Sequence, residues 1–397
     1  MQRRVEAWLV PVIVALGLIA AVVAGLVTVT RSRNQPLHPT PSLVPSFEVA
    51  APSARWQARA GQARQIVRDA VSSQNLPGAS VAVAVNGDIV WAEGFGWATL
   101  DLRDQVTPAT RFRIGHVSKA LTSAVVGRLR DQQRLHLDDE VQTHVAAYPR
   151  QPWPVTLRQL MGHTAGLQHY ANTEWGDKPT RHCERATEGL TLIPNQSLLF
   201  EPGTQYRYST YGWVLVSAAV EAAAGDPFFS VAQREVFDPL GMRQTVPDEP
   251  ERAMPDRATS YYRGNLGGTL TTAVDYSCFA GGGAFLSTPT DLARFGMAML
   301  GDGLLRPATV ALLQAPQLLA SGASTKYGLG WMLEAVDLAG RSTPVIGHAS
   351  RTLEGASTSF LTFPDYGLVV AASTNMSFAD MRSVALAIAA AFVAQTS

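Results

Sequence analysis

Apolar and polar positions divide the chain into blocks of different character. Ala7 to Thr30 carries no charged residue, and a helix of that length, rising 1.5 Å per residue, crosses a hydrocarbon core of about 30 Å. The stretch exceeds the apolar core of a cleavable leader and no Ala-x-Ala site follows it, which favours an uncleaved single-pass transmembrane anchor. Residues 31–55 hold Pro36, Pro39, Pro41, Pro45 and Pro52 with few aromatics, a composition that predicts an extended tether without a packed core. Helical spacing returns from Trp56 to Ser73 and stops at Leu76-Pro77-Gly78. Two apolar runs in ASVAVAVNGDIVWAEGFG then meet at Asn86-Gly87, whose tolerance of positive φ predicts a hairpin.

From about 116 to 315 helical patterns dominate: SKALTSAVVGRLRDQQ, LRQLMGH, GWVLVSAAVEAAAG ending on Gly225, and TDLARFGMAML, with Thr288 to Asp291 as a capping box. After 325 strand patterns resume in YGLGWMLEAV, TSFLTFP and YGLVVAAST, and the last helix is FADMRSVALAIAAAFVAQ. Strands at both ends with helices between them predict one sheet assembled from the two termini. The organisation is therefore a tail and anchor at 1–30, a linker at 31–55 and one folded domain at 56–397.

Composition narrows the function classes. With 397 residues, 46% hydrophobic content and zero formal charge, the chain can bury a full core. No basic run interleaves with aromatics, so no nucleic-acid partner is expected. Arg3 and Arg4 precede the anchor while Arg31 and Arg33 follow it, so the basic residues are divided. The short amino-terminal tail favours that end inside and the domain outside the cytoplasm, a single-pass membrane protein with a periplasmic or otherwise extracytoplasmic domain. Cys183 and Cys278 can oxidise there, although their spacing leaves open whether they meet.

A serine three residues before a lysine at a helix start shares a face with that amine, and the helix amino terminus favours developing negative charge. That frame makes an activated nucleophile for acyl transfer. Here it reads His116-Val117-Ser118-Lys119, and neither Lys178 nor Lys326 follows a serine at that spacing. No Gly-x-Ser-x-Gly or His-Glu-x-x-His substitutes for it. Ser118, about 200° round the helix from residue 116, is expected to face away from the cleft. His163 is expected to fix a turn, and His169, His182, Cys183 and Glu184, which lack ligand spacing, a surface loop with no metal. Gly281 to Gly283 read as a tight backbone passage and not a phosphate cradle, so no cofactor is expected.

RFRIGHVSKALTSAVVGRL, LRQLMGHTAGLQHY, EPGTQYRYSTYGWVLVSAAVE, FDPLGM, DYSCFAGGGAFLSTPTDLARFG and GHASRTLEGASTSFLTFPDYGLVVAASTN occur in one order over about residues 60–395. In that order they resemble the serine β-lactamase-like and penicillin-binding-protein-like family of class C β-lactamases, D,D-carboxypeptidases, related esterases and, most similar, a mitochondrial serine β-lactamase-like branch. The resemblance implies an α/β/α sandwich with an inserted all-helical subdomain, and hydrolysis of a β-lactam, D,D-peptide or ester. It places the nucleophile at His116, the motif lysine at Lys119, the tyrosine base at Tyr208, and a third catalytic element at His348. Thr210 stands where the family has asparagine and Ser350 where it has glycine, both as substrate-binding positions. The cleft would take a small molecule or peptide. His116 is then either an unusual nucleophile or a filler bonded to Tyr208 or water, and the chain either an impaired hydrolase or a non-catalytic binding or scaffolding module for cell-wall peptide or a protein partner.

Overall fold

The computed structural model describes residues 36–49, 51–169, 181–249, 254–264, 267–270, 274–301, 303–352 and 355–393. The expected anchor at 7–30 lies outside them, and among the described residues no single helix is long and apolar enough to cross a membrane. The strands are β1 (Ser46–Glu48), β2 (Gly78–Val85), β3 (Asp88–Gly96), β4 (Phe112–Arg113), β5 (Val246–Pro247), β6 (Tyr261–Gly264), β7 (Gly267–Leu270), β8 (Phe285–Ser287), β9 (Met332–Leu338), β10 (Arg341–Thr352), β11 (Ala356–Phe363) and β12 (Leu368–Thr374). The helices are α1 (Ala54–Ser73), α2 (Ser118–Asp131), α3 (Val141–His144), α4 (Leu157–Met161), α5 (Tyr211–Ala224), α6 (Phe228–Ala232), α7 (Pro289–Leu300), α8 (Pro307–Gln314) and α9 (Met381–Val393).

One antiparallel sheet of seven strands runs β1-β3-β2-β12-β11-β10-β9, so its centre joins the two ends of the folded chain, as the strand pattern predicts. β2 and β12 are buried on both faces, and adjacent residues point to opposite sides. Val81 and Val83 join Val370 under α1 and α9, whereas Ala82 and Ala84 join Val369 and Ala371 under Leu292 and Phe295 of α7. These two apolar layers make the α/β/α sandwich. The β2–β3 hairpin turns at Asn86 (φ 50°) and Gly87 (φ 100°), the left-handed pair that the sequence predicts.

Several expectations need correction. Residues 36–49 are no loose tether: Val44 is in the core, and β1 pairs with β3, where Gly94, lacking a side chain, lies opposite Phe47. The inserted region is not all helical, since β4, β5 and β8 form a second small sheet and β6–β7 a hairpin. Only half of the box at α7 forms: Thr288 accepts the Asp291 N–H, while the Asp291 carboxylate turns to the Gln244 N–H and Thr245 instead. A reciprocal box does form at Thr156 and Gln159, heading α4. β10 shows no apolar alternation in sequence, because Thr343, His348 and Ser350, three of its buried positions, are polar.

Candidate active site

Gly115, at φ +48°, bends the chain into a short 3-10 turn that leads into α2 and sets His116 at the helix head. Lys119 lies one turn on, fully buried; its Nζ donates to the Gly282 carbonyl at 2.9 Å and to Thr210 Oγ1 at 3.3 Å. It also stands 5.1 Å from the centre of the Tyr208 ring. The Gly282 carbonyl comes this close because its strip of chain packs onto α2 at Gly281, where any Cβ would strike Thr122 and Phe228. The expected tight passage is therefore part of the site.

Tyr208 and Thr210 lie just before α5, in a loop that two histidines hold. Ser209 N–H donates to His163 Nδ1 at 3.1 Å and Thr210 N–H to His169 Nδ1 at 3.2 Å. His163 does fix a turn, with φ +60°, and its ring also packs 4.2 Å from that of Tyr208. His169 is not on a remote surface loop; its ring lies 5.5 Å from Tyr208. Of the rest of that group, His182 is half exposed and bonded to Asp275, whereas Cys183 is buried and not on a surface loop. On β10, His348 donates from Nδ1 to the Ala349 carbonyl at 3.0 Å, which leaves Nε2 to accept the Tyr327 hydroxyl, also at 3.0 Å. Ser350 Oγ accepts the backbone N–H of His116 at 3.0 Å. The His116 and Tyr208 rings are 5.6 Å apart. Ser118, on the far side of the helix, is buried.

Thus His116, Lys119, Tyr208, Thr210, His348 and Ser350, spread over the length of the chain, meet in one place. His163, His169, Tyr327 and the Gly282 carbonyl belong with them, and of these the glycine run alone carries a local signal of its place in the site. Burial pushes Lys119 well below its usual pKa and does the same to His116 and His163, aided by the like charge of Lys119. Burial, again with Lys119, lowers His169 to about 4 and His348 to about 3. The charged groups named in these shifts are all cationic, so burial and like charge both favour the neutral forms, and an anion bound here would offset them. Its imidazoles can accept protons or attack a carbonyl, and Lys119 can act as a base. Two shallow depressions flank it, one of about 10 Å³ by Gly347, His348 and Arg382, the other, by His163, Arg207 and Ser209, too tight to admit a water.

Cys183 and Cys278 form a disulfide, resolving the pairing that spacing left open. It ties the chain before the 3-10 segment Ala186–Leu192 to the strip that presents Gly282, and Cys183 N–H donates to Ser277 Oγ at 2.8 Å.

A buried lysine one turn into a helix, a tyrosine before a second helix and a basic residue on an inner strand define the frame of an acyl-transferring hydrolase. The chain belongs to the Beta-lactamase family, whose model matches residues 63–395. Mouse (Mus musculus) serine beta-lactamase-like protein LACTB, mitochondrial, is 28% identical over 92% of this chain and 85% of its own length. Penicillin-binding protein 4* of Bacillus subtilis is 26% identical over 72% of this chain and 65% of its own. In fold, the chain is similar to the octameric penicillin-binding protein homologue from Pyrococcus abyssi, with a TM-score of 0.72 and 21% identity over 82% of this chain and 76% of that one.

Proposed function

We propose that this protein keeps the cleft of an amide or ester hydrolase, binds an acyl-bearing small molecule or peptide there, and is impaired in acyl transfer by the family route. The observation that carries this reading is the head of α2, where His116 occupies the nucleophile position and its own N–H is bonded to Ser350. Attack by the side chain of residue 116 would create an oxyanion beside that N–H, which must be available to stabilise it. Histidine also reaches farther from the helix axis than serine, and a misplacement near 1 Å costs on the order of 100-fold in rate. A ligand bearing a carboxylate or developing negative charge would offset the burial that drives Lys119 and the imidazoles towards their neutral forms.

A second reading, a non-catalytic module that binds cell-wall peptide or a protein partner, is favoured by the engagement of three imidazoles in internal acceptor roles at His163, His169 and His348. For location, the uncharged stretch 7–30 supports a single membrane anchor, and the disulfide supports a domain outside the cytoplasm.

The test is intact mass of the full chain in detergent, native and His116→Ser, after exposure to a penicillin and to an activated serine-hydrolase probe, alongside ester turnover. Acylation of the serine variant alone supports a working cleft with a replaced nucleophile. Turnover by the native chain that vanishes in His116→Ala would establish histidine catalysis and sink the impairment. Silence from both forms favours the binding module.

A further inference from the structure

The amino-terminal arm is built into the domain from its first described residues. Leu37 N–H donates to Asn75 Oδ1 at 2.7 Å, His38 Nε2 to the Pro77 carbonyl at 3.1 Å, and Ser72 Oγ to the His38 carbonyl at 2.7 Å. The Pro45 carbonyl accepts the Gly96 N–H, Val44 is buried, and β1 follows in register with β3. The arm then turns into α1 with Glu48 paired to Arg64.

Yet this docked arm exposes more apolar surface than its length warrants. Leu43 is 77% exposed, Val49 74%, Phe47 44% and Leu37 36%. From Pro36 to Phe47 there is no acidic or basic residue other than His38, and that ring is buried. Scattered exposed leucines are ordinary, but Leu37, Leu43 and Phe47 on one short uncharged segment, with Val49 just past the Arg64-paired Glu48, mark an interaction surface.

The chain beyond the arm supplies the occupant. Only Arg31 to Gln35 separate the arm from the uncharged stretch that ends at Thr30, and six Cα steps from Thr30 to Pro36 reach at most about 20 Å. If 7–30 spans a bilayer, as proposed above, the arm cannot leave its neighbourhood. We infer that the arm rests on the lipid surface, with its exposed apolar side chains Leu37, Leu43, Phe47 and Val49 at the headgroup boundary. This inference rests on the membrane-anchor reading and goes beyond it: the domain is strapped to the membrane by its own edge strand, not suspended on a tether.

The register of the sheet then fixes where the site lies. Ser350, Thr358, Ser373, Ser80, Gly94 and Phe47 form one row across β10, β11, β12, β2, β3 and β1. Five strand spacings of about 4.8 Å put the candidate site about 24 Å along the sheet from the docked edge.

Both native cysteines are in the disulfide, so a single introduced thiol can carry an environment-sensitive fluorophore on the full chain in phosphatidylcholine vesicles. Leu43→Cys reports the arm, and Leu318→Cys, exposed on a loop outside it, is the control. The expected result is a chain that stays with the vesicles through carbonate washing, with blue-shifted emission at position 43 that a lipid-borne quencher removes, and neither effect at 318. Retention with equal quenching at both positions overturns the docking while leaving the anchor. Extraction by carbonate overturns the anchor and the docking together. Protection of the position-43 label in lipid-free detergent that disappears on dilution would put a second copy of the chain on this face, and overturns the lipid assignment.

Discussion

At the head of α7, Pro289 takes the first helical position and Thr288 accepts the Asp291 N–H, so neighbours in sequence finish the helix. At the head of α2 no side-chain cap comes from Ile114 or Val117; the His116 N–H is bonded instead by Ser350, 234 residues away. α7 serves to pack a sheet and can be written locally. α2 serves a site, so its first turn must stay open to groups from distant elements, and its stability becomes that of the whole sheet. The two ends also hold opposite buried chemistry. Asp291 sits among donors and Arg294, whereas the α2 head is ringed by bases pressed neutral by burial.

Acid should separate the two ends most strongly. His116, His163, His169 and His348 all have folded pKa values below 6.5, so the unfolded chain binds protons first. Their neutral burial is tolerated above about pH 6.5, and stability falls as pH drops towards 4, by at most about 5 kcal/mol per pH unit if all four discriminate fully. Burial raises Asp291 above its usual 3.8, so the folded state takes up that proton first and acid favours the α7 end. Denaturant midpoints for the full chain at pH 7 and pH 5 measure the net effect, and equal midpoints would contradict the site electrostatics. Hydrogen exchange should show the α2 head opening first.

Removing the disulfide comes next. Cys183 and Cys278 are 95 residues apart, and loss of that closure in Cys183→Ser/Cys278→Ser should cost about 4–5 kcal/mol by the chain-entropy account. Because the strip that presents the Gly282 carbonyl to Lys119 is tied by it, exchange protection should drop at α2 and hold at α7. Uniform loss at both ends would remove the special link to the site.

Ser350→Ala removes the acceptor of the part-buried His116 N–H and should cost about 1 kcal/mol, read by thermal or chemical denaturation. In a His116→Ser background, Ser350→Gly should speed acylation by releasing that N–H for the oxyanion; unchanged rates would show that the Ser350 bond does not restrain chemistry. The most local effect belongs to Thr288→Ala, about 1 kcal/mol, with faster exchange confined to the first turn of α7. Any response at position 116 would mean that the two helix starts are coupled.

Much of the frame is legible along the chain because it depends on period and local turn chemistry. The hairpin at Asn86-Gly87, α1, α2, α5, α7 and the closing strands follow apolar spacing, and Gly225 ends α5 at φ +72° as its position suggests. Of the site, His116, Lys119, Tyr208, Thr210, His348 and Ser350 follow from motif order. β10 escapes the pattern because burial on a site-facing strand places His348 and Ser350 where a core strand would carry valine. The arm escapes it because prolines in 31–55 resemble a tether, while its docking depends on partners such as Asn75, Pro77 and Gly96. His163, His169 and Tyr327 are visible only through backbone N–H groups and rings far away in sequence.

Residue type and short-range spacing alone set the periodic elements, the family frame and the placing of His116 three residues before Lys119. Tertiary structure alone decided that Cys183 meets Cys278, that Ser350 holds the His116 N–H and that four imidazoles share one buried basic cluster. Those outcomes depend on which distant backbones the sheet and its two apolar layers bring within hydrogen-bond reach, and on how much water that packing excludes.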